Sequence, residues 1–170
     1  MSVYLYWIPL GAGGAGFVRF NGRVYESVQA RRHGRTPLDL YHTALNVHAP
    51  EGRFIIENAW PIPDANTAHR GVVVEGPVFS RWISSLRVFR YEVRCWRDGV
   101  IQDSDEAVGG ARPLDGTADL ARSVLDLVRS VPPMVWGRDQ QGAGEMWNSN
   151  SVISWLLTNA GADMSSIRPP

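Results

Sequence analysis

Alternating apolar and polar positions predict strands over the first hundred residues. The clearest strand covers 86–96, where one parity is apolar and the other is charged: Phe89, Tyr91, Val93 and Cys95 against Arg90, Glu92 and Arg94. A repeat of two residues is the pattern of a strand with one buried face. Cys95 falls on the apolar parity, which favours a packed small hydrophobe over a nucleophile.

Shorter runs of β-branched and aromatic residues predict the other strands. We expect them at 3–8, at 17–28 (two strands around the turn Asn21-Gly22), at 41–47, at 53–57 and at 72–74. The segment HAPEG at 48–52 predicts the turn of a hairpin between the 41–47 and 53–57 strands. We expect an irregular stretch around Gly76-Pro77 and an exposed loop at 31–37.

Two apolar stripes at helical spacing predict helices near the C-terminus, at 118–131 and at 149–160. Thr117 or Asp115 is a candidate N-cap of the first helix, and Gly161 is a candidate C-cap of the second. Strands in the first part and helices in the last part indicate an α+β fold.

Composition narrows the class of protein. The 170 residues argue for a single domain over 1–170, and a formal net charge of zero favours neither a nucleic acid nor an acidic membrane as partner. Cys95 is the only cysteine, so an intrachain disulfide is impossible, which fits a reducing compartment. The short apolar N-terminus reads as a strand rather than a signal peptide, and no run is long enough for a membrane span. We therefore predict a cytoplasmic location.

Neither a dinucleotide site nor a metal site is predicted. GAGGAG at 11–16 fits a glycine fingerprint, but a strand-like run follows where a dinucleotide-binding unit needs a helix. The four histidines have no familiar ligand spacing and no CxxC is present. The prediction is no cofactor and no metal.

The segment EMWNSNSVISWLL at 145–157 is the most informative one. Its small polar residues are good N-caps, which is the simpler interpretation. A hydroxyl there would also lie at the positive end of a helix, beside amides that can hold an oxyanion. A base would have to come from elsewhere: His42 opens a predicted strand, and Glu57 or Asn58 ends its partner.

In combination these segments resemble the permuted papain-like (NlpC-like) family, which includes lecithin retinol acyltransferase relatives and bacterial permuted peptidase-like enzymes. The similar segments are HTALNV at 42–47 with GRFII at 52–56, then GPV at 76–78 with LRVFRY at 86–91, and WNSNSVI at 147–153. The resemblance implies an antiparallel β-sheet or barrel packed against a few helices. Residues 41–160 would form the papain-like core, and 1–40 would add N-terminal strands and a loop.

By the same resemblance Ser149 takes the nucleophile position, His42 is the general base, and Glu57, preferred over Asn58, orients the imidazole. We expect Trp147, Asn148, Trp60 and Trp136 to line the substrate cleft. The family has cysteine where this chain has Ser149, and a hydroxyl is far less acidic than a thiol. The serine is compatible with a working hydrolase, a site that has lost activity, or an engineered replacement.

Three functions follow from these patterns. The first is a hydrolase or acyltransferase acting on an amide, ester or thioester through Ser149 and His42. The second is a catalytically inactive binding module on the same fold, and the third is an unrelated α+β interaction domain. A small molecule, a peptide or a lipid would suit the first two, and the sequence indicates no oligomeric state.

Overall fold

An antiparallel β-sheet forms the centre of the molecule. The computed structural model describes residues 1–10, 26–27, 30–31, 34–36, 39–61, 71–101, 103–116 and 118–170. The strands are β1 (Ser2–Pro9), β2 (Tyr41–Ala49), β3 (Gly52–Ala59), β4 (Val72–Pro77), β5 (Arg90–Arg97) and β6 (Arg112–Pro113). Their order is β4-β5-β3-β2-β1-β6, and every pairing is antiparallel. Within the described ranges the sheet is open, with β4 and β6 at its edges.

The predicted hairpin is confirmed as β2 and β3. Their last pair is Ala49 with Gly52, so the turn is only Pro50-Glu51. Gly52 has a φ of 140°, a conformation that residues with a side chain rarely adopt. Because the turn fixes the register, it also fixes which side of the sheet each residue of the hairpin faces.

Four details differ from the sequence prediction. β5 begins at Arg90, because Arg87–Phe89 form a 3₁₀ turn instead of extended chain. β4 runs on to Pro77, through the segment predicted to be irregular. Glu26 and Ser27 are helical, so the predicted strand at 17–28 is wrong at that end; its other residues and GAGGAG lie outside the described residues. In the predicted 31–37 loop, Arg31 is helical, while the described residues 34–36 are an exposed turn.

Two α-helices lie entirely within the described residues: α1 (Ala118–Leu127) and α2 (Ser149–Asn159). The predicted first helix continues past α1 as a 3₁₀ turn over Val128–Ser130. Its candidate cap Thr117 lies outside the described residues, and Asp115 is too far from Ala118 to be the N-cap. α2 ends as predicted: Gly161 has a φ of 86°, its N–H donates to Thr158, and Ala162 donates to Leu157. This pair of bonds is the Schellman ending.

The sheet has two sides with different contents. On the helix side, residues of β1, β2, β3 and β5 pack against α1 and α2 to form the main apolar core, which includes Leu5, Leu45, Val93, Val124 and Leu156. On the second side a smaller apolar cluster contains Ile8, Ala44, Ile55 and Ile101. Successive residues of a strand face opposite sides of the sheet. Two neighbouring residues of β2 therefore lie on different sides, one on the helix side and one on the second side.

The main core draws on both ends of the chain, from Val3 in β1 to Leu157 in α2, with Ile167 packed at its margin. β1 pairs with β2 over its full length, from Ser2 with His48 to Pro9 with Tyr41. The N-terminal strand is thus an integral part of the sheet. No helix within the described ranges combines the length and apolar character needed to cross a bilayer.

Candidate functional site

The start of α2 is built by its N-cap. Asn148 has extended backbone geometry, and its side-chain oxygen accepts the N–H of Ser151 at 3.0 Å. The Ser151 hydroxyl donates to the carbonyl of Met146 at 2.9 Å, which ties the helix to the preceding chain. Asn148 therefore satisfies one of the unpaired backbone amides of the first turn. This capping contact, rather than a substrate, occupies the side-chain oxygen of a residue predicted to line a cleft.

Ser149 is the first residue of α2 and is buried, with 7% of its surface exposed. Its hydroxyl makes no hydrogen bond to any residue that the structure describes. The β2 residue against it is Thr43, whose hydroxyl contacts the carbonyl of Ser149 at 3.3 Å and the side-chain oxygen of Asn150 at 3.1 Å. Thr43 thus faces the helix side of the sheet, at the beginning of α2.

His42 faces the second side, because it is the neighbour of Thr43 on the same strand. It pairs with Ile8 of β1, a member of the second apolar cluster. Burial lowers the pKa of His42 from 6.5 to about 4, and the nearby carboxylate of Asp103 opposes that shift. The imidazole is therefore neutral at pH 7. The structure does not bring His42 to Ser149, although the family resemblance pairs them as base and nucleophile.

Glu57 also lies on the second side, paired in register with Ala44 and with Arg94. Its carboxylate is 3.5 Å from the Nη1 of Arg94, and the Nη2 of Arg94 is 2.9 Å from Glu92. Burial raises the pKa of Glu57 above its usual value, against the opposing effect of Arg94. Glu57 belongs to a buried ion cluster with Arg94 and Glu92, and no hydrogen bond joins it to His42.

Asn58, the alternative third member, has the opposite parity and shares the helix side with Ile56 and Val93. It is 5% exposed, and its buried side-chain N–H₂ has no hydrogen-bond partner among the residues that the structure describes. A buried unsatisfied amide is uncommon. Among the described residues, Thr43, Asn58 and Ser149 are thus buried polar side chains on the helix side, and none of them is a base at neutral pH.

The predicted cleft tryptophans form a row with two different roles. Trp147 is 2% exposed and donates its indole N–H to the hydroxyl of Tyr91 at 2.9 Å, and that hydroxyl donates to the carbonyl of Met134. Trp136 lies between Tyr91 and Trp60, and its ring centroid is 5.5 Å from that of Tyr91 and 6.2 Å from that of Trp60. Trp147 thus packs in the main core and also borders the groove along α2, whereas Trp60 is 47% exposed and is open to a ligand.

A groove of about 280 Å³ follows the outer face of α2. On the helix its lining consists of Asn150, Ser151, Ser154, Trp155, Thr158 and Asn159. The opposite wall comes from the 138–147 segment and includes Arg138 and Glu145 as its charged members. Apart from that one cation and one anion, the lining polar groups are uncharged amides and hydroxyls.

Asp139 orders the loop that closes this groove. Its carboxylate accepts the backbone N–H groups of Ala143 at 3.0 Å and Gly144 at 2.9 Å. These bonds, that of Gly144 foremost, hold the pKa of Asp139 below its usual value. Gly142 and Gly144 have φ values of 68° and 81°, so the tight loop depends on glycine at both positions.

Of the residues predicted to line a cleft, Trp147 lines this groove; the sequence analysis missed the contribution of α2, although a signal was present. Polar residues recur on α2 opposite its apolar stripe, at 150, 151, 154, 158 and 159. Such a face is normally solvated, and only the position of the 138–147 loop turns it into a concave wall.

Cys95 agrees with the prediction of a packed residue. It is half-buried against the main core, and burial raises the pKa of its thiol to about 11. The described residues hold no group of three or more histidine, cysteine or acidic residues arranged to bind a metal ion.

Comparisons with known proteins add no relative from which a role can be carried over. No protein-family model, no curated protein and no solved structure matches this chain.

Proposed function

We propose that this chain is a non-catalytic binding module with the permuted papain-like arrangement. One observation carries the proposal: Thr43, not His42, is the β2 side chain that contacts Ser149. The sequence has Ser149 and His42 at the motif positions, but the strand parity of β2 turns His42 to the side of the sheet opposite Thr43.

A serine needs an adjacent base before it can attack a carbonyl. A threonine hydroxyl cannot take a proton at neutral pH, and Asn58, the other buried polar side chain on this side, cannot either. Glu57 is engaged by Arg94 on the far side. Among the residues that the structure describes, none at the start of α2 supplies the base that acyl transfer through Ser149 requires, which favours binding over hydrolysis.

The ligand site of the proposed module is the groove along α2. Its volume, about 280 Å³, suits a ligand at the small end of the usual range. The amide and hydroxyl lining, with Trp155 as an apolar surface, suits a neutral ligand rich in hydrogen-bonding groups. Arg138 and Glu145 leave the groove without a net formal charge, so we do not expect selection for strongly charged ligands.

The absence of Ser149 chemistry is tested with a fluorophosphonate probe and with p-nitrophenyl acetate hydrolysis. We expect the native chain and Ser149→Ala to give the same background rate and no labelling at residue 149. Labelling that disappears in both Ser149→Ala and His42→Gln would overturn the proposal and support a Ser/His hydrolase.

Binding is tested by ligand-observed NMR with a panel of neutral mono- and disaccharides and blocked dipeptides. We expect at least one class to bind, and Ser154→Trp to abolish that binding by filling the groove. Arg122→Trp, which places the same bulky side chain on the exposed face of α1, is the control. Binding that survives Ser154→Trp would place the ligand site elsewhere.

A further inference from the structure

Four large apolar side chains project into solvent between β4 and β5. Phe79 is 63% exposed, Trp82 92%, Leu86 59% and Val88 70%. Single exposed apolar residues are ordinary, but several together mark an interaction surface. We call residues 79–89 the apolar loop.

The apolar loop is ordered at its base. The N–H of Val78 donates to the carbonyl of Phe89 at 2.8 Å, which closes the loop where the two strands end. Within it, the hydroxyl of Ser84 donates to the carbonyl of Arg81 at 2.7 Å. Phe79 has a φ of 61°, an unfavourable conformation for an aromatic residue. The backbone is therefore strained at Phe79, although the side chain is largely exposed and stabilises no core. Strain at such a position indicates a role in binding rather than in stability.

The surroundings of the loop are positively charged. Residues 76–91 contain three arginines and no acidic residue. Arg90 pairs with Glu75 at 2.9 Å. Arg81 is exposed and makes no ion pair with any residue that the structure describes. An apolar tip with unpaired positive charge beside it is complementary to a surface that is apolar inside and anionic outside.

We propose that the apolar loop docks this protein on the surface of an anionic lipid bilayer. Trp and Phe favour the bilayer interface, and arginine is attracted to anionic headgroups. A second copy of the chain would present the same patch, in which Arg81 has no acidic neighbour within 76–91, so a twofold interface would add like charge without a partner. Lipids adapt to a side chain as prominent as Trp82, whereas a protein partner would need an acidic pocket matched to it.

The test is vesicle flotation of the full chain. The probes are vesicles of phosphatidylcholine with 30 mol% phosphatidylglycerol, and vesicles of pure phosphatidylcholine. We expect binding to the anionic vesicles that weakens with salt, and little binding to the neutral ones. Trp82→Ala should lower the partition coefficient about tenfold. Arg81→Gln should lower it about fivefold.

Matched controls come from exposed residues elsewhere. Val100→Ser removes an apolar side chain that is 64% exposed, and Arg122→Gln removes a charge from α1; neither should change flotation. Circular dichroism and the urea midpoint confirm that each variant is folded. The proposal fails if Trp82→Ala floats like the native chain. It also fails if the native chain does not bind anionic vesicles, which would indicate a protein partner. A dimer in sedimentation that is lost in Trp82→Ala would overturn it as well.

Discussion

The two sides of the sheet bury different chemistry. The helix side is an apolar core that holds a few neutral polar groups, among them Thr43 and Ser149. The second side holds ionisable groups: the half-buried His42, and the cluster of Glu57, Arg94 and Glu92. The difference teaches that a nucleophile and a base can both be present in a sequence motif and still be separated by the thickness of a sheet.

The register of β2 decides whether His42 or Thr43 faces the start of α2. Had β2 been shifted by one residue, His42 would face Ser149 and Thr43 would face away. Burial on both sides makes such a shift unfavourable, since it would turn Leu45 and Val47 out of the main core. The core therefore decides the chemistry available at the start of α2.

The largest effect is expected from Arg94→Leu. Without the guanidinium, the carboxylates of Glu57 and Glu92 lose the positive charge that they contact. We expect the free energy of unfolding to fall by about 3–5 kcal/mol. Urea denaturation at pH 7 measures it. Arg97→Leu, whose side chain is 66% exposed, is the control and should stay within about 0.5 kcal/mol. A loss below about 1 kcal/mol for Arg94→Leu would contradict a buried ion cluster.

The pH dependence of stability separates the two sides. The folded pKa of His42, about 4, is below its unfolded value of 6.5. The contribution of neutral His42 to the free energy of unfolding is therefore complete above pH 6.5 and is lost as the pH falls through 4. Between pH 7 and pH 4, the native chain should lose about 2–3 kcal/mol more than His42→Gln. Glu57, whose pKa is raised, acts in the opposite direction but equally in both proteins.

The control for that comparison comes from the helix side. Leu156→Ala opens a cavity in the apolar core, which should cost about 2–5 kcal/mol. No ionisable group is removed, so its denaturation profile should keep the pH slope of the native chain. Parallel profiles for His42→Gln and the native chain would show that the imidazole is solvated.

The smallest effect distinguishes two neighbours at the start of α2. Asn148→Ala removes the N-cap and should destabilise the fold by about 1 kcal/mol in thermal or urea unfolding. Ser149→Ala removes a hydroxyl without a described hydrogen bond and should change stability by less than about 0.5 kcal/mol. If Ser149→Ala cost more than Asn148→Ala, the hydroxyl would have to be bonded, and the case for a nucleophile would reopen.

Local patterns predicted the hairpin of β2 and β3, the helix α2 with its Gly161 ending, and the packed state of Cys95. These features depend on neighbours in sequence. The predicted cleft roles of Trp147 and Asn148 stay predictions, because a tryptophan suits a core as well as a cleft, and an asparagine caps a helix as well as it binds a ligand. The bond to Tyr91 and the contact with Ser151 show the structural use of each residue.

The sequence by itself determined the α+β class, most of the element positions and the polar start of α2, because periodicity and capping act over a few residues. The tertiary structure decided that Thr43 rather than His42 meets Ser149, that Glu57 serves Arg94, and that the outer face of α2 becomes a groove. These outcomes depend on strand register and on which distant segments cover each side of the sheet, and those are set by burial across the whole fold.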